Sequence, residues 1–257
     1  LEACESGSMF QKKLPDNIKI FATTAANSHE SSWGTYCPPN DQVNGYSLNT
    51  CLGDLYSVNW MEDADRGVAS ETLTQQFNTV KNETKQSHVE EFGERDMGND
   101  KADSFWGANK AIPDFRALER DLQVPELKTM SSVDSRDIAL TTFYSQYLNS
   151  GNDLEKRREY ARKLMGEIEL RQWSDDIFYK IGTQVMKVNN GVPSEALEGH
   201  REPTQFECIR SAVNDFKKTC GQISDYALKH VRILVNLCEI TNSPQTISNS
   251  IHQICSE

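Results

Sequence analysis

Leu1-Glu2-Ala3-Cys4-Glu5-Ser6-Gly7-Ser8 is the stretch on which the reading of this chain turns. It runs from an apolar strand end into a small, flexible turn, with a cysteine at the junction. In that setting a thiol can be held exposed at the end of a sheet strand, beside a backbone amide able to receive an oxyanion. The plainer reading is that a lone cysteine next to a strand is a small core hydrophobe. On these eight residues alone the plainer reading is the commoner one.

Working outward, Ile18, Ile20 and Ala22 alternate with Lys19 and Phe21 and lead into Thr23-Thr24, which predicts a short buried strand. Pro38-Pro39 and Asn44-Gly45 break the chain into a loop. Ser70 is placed to cap a helix carrying Leu73, Phe77 and Val80 on one face. Residues 1–96 therefore read as α/β. Residues 97–152 have weaker periodicity, interrupted by Gly98, Gly107, Pro113, Pro125 and a polar cluster at 129–132. They read as an exposed, cleavable linker with short helical pieces.

Residues 153–257 read as all-α. Leu154, Ala161, Leu164, Met165 and Ile168 form one stripe. Ser174 with Asp175 and Asp176 resembles a fresh helix start, continued by Ile177, Ile181 and Val185. Beyond Gly191-Val192-Pro193 three more helices are expected. The first carries Phe206, Ile209, Val213 and Phe216 and stops at Gly221. The second starts at Ser224 and carries Ala227, Val231, Leu234, Val235 and Cys238. The third starts at Ser243-Pro244 and carries Ile247, Ile251 and Ile254.

The chain has seven cysteines, so one is left over if the rest pair. Cys208 and Cys220 would sit about 18 Å apart on one helix, too far for a bond that needs Cα atoms within about 7 Å. If the helices fold back on one another, the consistent solution is Cys208–Cys238 with Cys220–Cys255. Four buried free thiols are the alternative. Cys37 and Cys51 flank the proline-containing loop, and a bond there would pin it. Cys4 is the remainder.

The 257 residues carry a net charge of -11. Residues 1–96 hold 15 acidic and 7 basic side chains, against 15 and 14 in residues 153–257. An acidic surface without a basic stripe argues against nucleic acid and against anionic membrane as partners. No stretch approaches the roughly 18 apolar residues that span a bilayer. Asn82-Glu83-Thr84 is a possible N-glycosylation acceptor. With the cysteines it favours an oxidising, secretory-route compartment. The opening at Leu1, without an initiator methionine, is read as a truncated sequence. No metal-ligand spacing is apparent, and no cofactor is expected.

Glu2-Ala3-Cys4-Glu5-Ser6-Gly7-Ser8-Met9 resembles the catalytic cysteine motif of the legumains, also called asparaginyl endopeptidases or vacuolar processing enzymes. Leu14-Pro15-Asp16-Asn17-Ile18, Ala22-Thr23-Thr24-Ala25-Ala26-Asn27, Glu30-Ser31-Ser32-Trp33-Gly34-Thr35-Tyr36-Cys37, Cys51-Leu52-Gly53-Asp54-Leu55-Tyr56-Ser57-Val58 and Trp60-Met61-Glu62-Asp63 follow the same family in order. Tyr226-Ala227-Leu228-Lys229-His230 and Val235-Asn236-Leu237-Cys238 extend the resemblance to the end of the chain. It implies the C-terminal part of a caspase-like α/β catalytic domain over 1–96, a linker or activation peptide over 97–152, and an all-α, disulfide-linked helical prodomain over 153–257. The Cys37–Cys51 bond resembles that of plant-like members.

The resemblance implies a cysteine endopeptidase acting after Asn and, less readily, Asp. Cys4 matches the nucleophile, Glu2 and Asp54 the acidic wall of the S1 pocket, and Ser31 and Ser32 its floor and rim. An asparagine side chain offers a donor amide and an acceptor carbonyl, and carboxylates suit the donor end. The family's catalytic His-Gly pair and pocket arginine belong upstream of Leu1, and none of His29, His88, His200, His230 and His252 matches that histidine. This chain alone is accordingly expected to be inactive. The family is made as an acid-activated zymogen, with Asn152, or else Asn149, as the expected autocleavage site. The expected trigger is carboxylate protonation weakening pairs with Arg157, Arg158 and Lys163. Implied partners are Asn-containing protein substrates, the chain's own prodomain and cystatin-type inhibitors, in a lysosome, vacuole or secreted setting. The competing readings are a non-catalytic pseudoenzyme and a relative of the glycolipid-anchor transamidase.

Overall fold

The computed structural model describes residues 1–66, 71–106 and 131–256. It comprises two compact units, Leu1–Ala161 and Arg162–Glu257.

In the first unit, β1 (Phe21–Thr24) pairs antiparallel with β6 (Glu90–Gly93), Phe21 facing Gly93 and Thr24 facing Glu90. On the other side of β1, the Leu1 ammonium donates to the Thr23 carbonyl at 2.7 Å, and the Ala25 amide donates to the Leu1 carbonyl at 3.0 Å. Those two bonds run the opening residues along β1 and deliver Cys4 beyond it. The strand expected over residues 18–24 is shortened at its start to Phe21–Thr24. Lys19 takes a left-handed φ of 55°, which ends any extended run before Phe21, and Ile18 and Ile20 are exposed.

A second sheet has the order β5-β2-β7, from β5 (Gly53–Asp54), β2 (Trp33–Thr35) and β7 (Val133–Asp134). Between β2 and β5, the strands β3 (Gln42–Val43) and β4 (Tyr46–Ser47) form a hairpin. Its turn is Asn44-Gly45, both at positive φ, the conformation a two-residue hairpin turn requires. The Cys37–Cys51 disulfide closes the base of this excursion.

Helix α1 (Leu55–Asp65) follows β5 directly, and α2 (Leu73–Glu83) packs beside it. Ser70 lies outside the described residues. The cap of α2 is Thr72, whose hydroxyl accepts from the Gln75 amide while the Gln75 side chain accepts from the Thr72 amide. Phe77 and Val80 are buried, as expected, against Ala25, Tyr56 and Val89.

The stretch 97–152 carries more order than its periodicity suggests. It includes α3 (Asp103–Trp106), β7 and α4 (Ile138–Asn149). Polar side chains fasten α4. Thr142 donates to Thr50 at 3.0 Å, Ser145 to Asn49 at 3.2 Å and Asn149 to Asn49 at 2.7 Å. An apolar-period reading does not register such contacts. Gly107, Pro113, Pro125 and residues 129–130 lie outside the described residues.

Helix α5 (Leu154–Val188) runs unbroken for 35 residues. The helix start expected at Ser174 is absent. Its hydroxyl turns back to donate to the Leu170 carbonyl at 2.7 Å, a mid-helix use of serine rather than a cap. Leu154 and Met165, assigned to the first stripe, are exposed, and burial begins at Ser174 and Ile177.

In the second unit, α6 (Pro193–Leu197), α7 (Phe206–Thr219), α8 (Val231–Thr241) and α9 (Pro244–Cys255) gather around the C-terminal half of α5. A 3-10 turn, Tyr226–His230, leads into α8, with the Ser224 hydroxyl accepting from the Ala227 amide at 3.2 Å. Phe178, Ile181, Phe216, Leu234, Leu237, Ile247 and Ile251 are all 0% exposed. Each contributes about 1.5–3 kcal/mol of burial. Phe178 and Phe216 stack with centroids 4.5 Å apart. Cys208–Cys238 and Cys220–Cys255 close with Cα atoms 5.8 and 5.2 Å apart. Gly221, at φ 102°, makes the reversal after α7.

Candidate functional site

Among the described residues Cys4 is the one free cysteine, half-buried just past the pairing with β1. The residue after it, Glu5, has a left-handed φ of 50°. Holding a non-glycine residue there costs about 1–3 kcal/mol, which the surrounding bonds must offset. Several bonds do so. The Glu5 amide donates to the Glu30 carbonyl at 2.7 Å, and the Gly7 amide to the Ala26 carbonyl at 3.0 Å. Ser6 and Ala26 exchange two bonds of 3.1 Å, hydroxyl to carbonyl and amide to hydroxyl. A Cβ at Gly7 would clash with Glu90 Oε2 and fall 3.0 Å from the Asn27 carbonyl carbon, so a larger residue there requires both to shift.

The thiol lies 3.7 Å from the Ser32 hydroxyl. Ser32 is buried at the entrance to β2 and lies 3.0 Å from the Ser135 hydroxyl, while its carbonyl accepts from the Ser135 amide at 3.0 Å. The neighbouring Ser31 hydroxyl accepts from Arg136 Nη1 at 2.8 Å. Cys4, Ser31 and Ser32, singled out by resemblance, are thus brought together.

Glu2 and Asp54 form an adjoining group. Asp54 pairs with Gly34 across β5 and β2, then stands as the N-terminal flanking residue of α1. Its side chain makes no capping bond; Glu2 Oε2 instead accepts from the Ser57 amide at 2.8 Å, satisfying an orphan donor in the first turn. Glu2 Oε1 is buried without a partner among the described residues. Burial raises the Glu2 carboxyl to about 7, opposed by the Ser57 amide and assisted by the nearby charge of Asp54. Burial also raises Asp54. A cavity of about 590 Å³ includes Glu2 with Tyr56, Trp60, Phe77 and Val80 in its lining, but none of Cys4, Ser31, Ser32 and Asp54.

Three histidine rings are engaged elsewhere: His88 Nδ1 with Glu30 at 2.8 Å, His230 Nε2 with Asp175 at 2.7 Å and His252 Nδ1 with Thr219 at 3.2 Å. Among the described residues, no group of three or more His, Cys, Asp and Glu could hold a metal ion, and no helix is long and apolar enough to cross a membrane. Asn82 is exposed in the last turn of α2, while the Thr84 hydroxyl is buried and accepts from Asn59 at 2.9 Å. Asn149 ends α4, and Asn152 is exposed in the turn before α5.

Glu5, Ser135 and Arg136 escaped the sequence reading. Ser135 and Arg136 lie more than 100 residues from Cys4, in a stretch taken for linker. No local periodicity signals a contact that only β2–β7 pairing creates.

Comparison with known proteins gives two family matches: the Peptidase C13 family over residues 1–108 and the legumain prodomain over residues 162–255. The chain is 34% identical to a vacuolar-processing enzyme of Ricinus communis, over 100% of this chain and 53% of that protein. It is 35% identical to the vacuolar-processing enzyme delta-isozyme of Arabidopsis thaliana, over 100% and 56%. It is 31% identical to a legumain of Canavalia ensiformis, over 99% and 55%. The chain spans about half the length of these relatives. With a caspase-like C13 segment followed by a helical prodomain segment, this chain belongs to the legumain (peptidase C13) family.

Proposed function

We propose that the protein of which this chain is part is a cysteine endopeptidase that cleaves after asparagine and, less readily, aspartate. The observation that carries the reading is the half-buried Cys4 thiol, held past the β1 pairing by a left-handed turn and 3.7 Å from Ser32. The thiolate attacks the scissile carbonyl, and the Cys4 amide helps hold the oxyanion. Glu2 and Asp54 offer carboxylate oxygens to the side-chain amide of the substrate asparagine, with Ser31 and Ser32 lining the floor and rim. A histidine outside this chain serves as base. Glu2, with its carboxyl near 7, is the group whose protonation tunes asparagine against aspartate.

The helical second unit acts as the inhibitory prodomain of a zymogen, released by cleavage at Asn152 or Asn149. Asn152 is favoured. It lies in an exposed turn, whereas Asn149 ends a helix with its amide bonded to Asn49. The proposed setting is a vacuole or lysosome, supported by the vacuolar-processing enzymes among the relatives, and cystatin-type proteins are candidate inhibitors.

An asparagine-directed covalent probe tests the nucleophile in full-length, acid-activated protein. It labels the native enzyme and leaves Cys4→Ser unlabelled. Equal labelling of both removes Cys4 from the mechanism. Replacing Asn149 and Asn152 separately locates the processing site, and unchanged processing in both variants removes both assignments.

A further inference from the structure

The turn over residues 27–30 leads from β1 to the serines beside Cys4, and one side chain closes it. Glu30 Oε1 accepts from the Asn27 amide at 2.9 Å and from the His88 amide at 2.7 Å, while Glu30 Oε2 lies 2.8 Å from His88 Nδ1. Asn27 Oδ1 tightens the same turn by accepting from the His29 amide at 2.8 Å. Next to His88, the Ser87 hydroxyl donates to the Ala25 carbonyl at 2.6 Å. A single carboxylate thus ties the turn to itself and to the residues that enter β6. The Glu30 side chain is 24% exposed, whereas that of His88 is 79% exposed. Burial pushes the Glu30 carboxyl up, but the bonds from the Asn27 amide and from the ring and amide of His88 outweigh it and hold the carboxyl below its ordinary range.

The closed turn meets the segment after Cys4 at both of its ends. The Glu30 carbonyl accepts from the Glu5 amide at 2.7 Å, and the Ala26 carbonyl accepts from the Gly7 amide at 3.0 Å and from the Ser6 hydroxyl at 3.1 Å. The chain then passes straight from Glu30 into Ser31 and Ser32, and the Ser32 hydroxyl lies 3.7 Å from the Cys4 thiol. All of these groups lie within residues 1–88, inside the Peptidase C13 match, and none of the contacts uses the linker.

We infer that Glu30 is a positioning residue for peptide cleavage: its carboxylate fixes the turn that sets the Cys4 nucleophile in register with the Ser31–Ser32 side of the pocket. The inference rests on Cys4 being the nucleophile. The carboxylate is occupied by its own three bonds, so it acts through main-chain carbonyls, its own and that of Ala26. Two backbone N–H groups converge on one oxygen, and an ionised acceptor binds them about twice as strongly as a neutral one. The exposed His88 ring is the lesser contact, since it meets only the second oxygen.

The test compares Glu30→Ala, Glu30→Gln and His88→Ala in full-length, activated enzyme. Rates are divided by the fraction of Cys4 that a saturating asparagine-directed covalent probe labels, so a loss of folded protein alone leaves them unchanged. Glu30→Ala is expected to lower kcat for an asparagine peptide about 10–100-fold, the scale of an ångström-level misplacement. Alkylation of Cys4 by iodoacetamide, followed on the Cys4 peptide by mass spectrometry, needs no register and stays within about threefold. Glu30→Gln keeps a neutral acceptor and loses about 3–10-fold. His88→Ala keeps the backbone donor and stays within about twofold of native. A Glu30→Ala enzyme within about threefold of native kcat per labelled site overturns the inference, as does a parallel loss of alkylation and peptide cleavage. Where Glu30→Ala does not fold, Glu30→Gln decides, and a kcat within about twofold of native overturns it. A loss in His88→Ala equal to that in the Glu30 variants overturns it too, by assigning the effect to the imidazole. Cleavage by Cys4→Ser at the native rate removes the nucleophile, and the inference with it.

Discussion

The two units of this chain are held together by different physics. The second closes around Phe178, Ile181, Phe216, Leu234, Leu237, Ile247 and Ile251, all out of contact with water, with two disulfides across the helices. The first has a smaller apolar cluster around Tyr56, Phe77, Val80 and Val89. It relies more on crossed polar bonds: Glu2 to Ser57, Ser6 to Ala26, Arg136 to Glu5 and Ser31. An apolar core tolerates no unsatisfied charge, whereas a reactive site needs half-buried titratable groups and a strained turn. The helical unit is organised around an apolar core and the α/β unit around crossed polar bonds.

The sharpest way to break this comparison is to remove Phe178 from the helical core. Phe178→Ala is expected to destabilise the second unit by about 3–5 kcal/mol, read as a lowered calorimetric transition. A loss below about 1 kcal/mol would mean the core does not carry that unit. Replacing Cys208 and Cys238 together with alanine should cost about 2–4 kcal/mol in chemical denaturation, by freeing the unfolded chain. An unchanged midpoint would leave the apolar core as the sole support. In the first unit, Thr72→Ala removes the capping box of α2 and should cost about 1 kcal/mol.

The finest distinction is in pH. The Glu2 carboxyl is raised from 4.5 to about 7, so its contribution is present below 4.5 and fades as pH rises through about 7. Asp175 has the opposite sign. Burial pushes it up, but hydrogen bonds from His230 and Tyr226 and the charge of Lys229 hold it below 3.8. Its contribution is present above 3.8 and fades as pH falls through the depressed value. Glu2→Gln should therefore flatten the first unit's melting temperature between about 4.5 and about 7. Asp175→Asn should lower that of the second unit at neutral pH, with the penalty vanishing in strong acid. A Glu2→Gln protein that still melts with native pH dependence would assign the titration to another group.

Much of this was legible in the residues. The spacing of Cys208, Cys220, Cys238 and Cys255 against helix rise predicted the pairs that close, because helix geometry is local and regular. Cys4 stood out as the unpaired cysteine in a turn of small residues. The apparent break at Ser174 misled, since a serine can cap a helix or bond back into one, and its sequence does not say which. Ile18 and Ile20 alternated like a strand, but the left-handed Lys19 interrupted it.

Resemblance supplied the reading of Cys4 as nucleophile; by itself the sequence determined the α/β-then-helical order, the disulfide framework and Cys4 as the unpaired cysteine. These depend on periodicity, composition and short-range geometry. Only the tertiary structure decided that Glu2 caps α1 and that Ser135 and Arg136 come to the side of Cys4. Such contacts arise when strands distant in sequence pair, and no window of neighbouring residues encodes which distant side chain fills a given place.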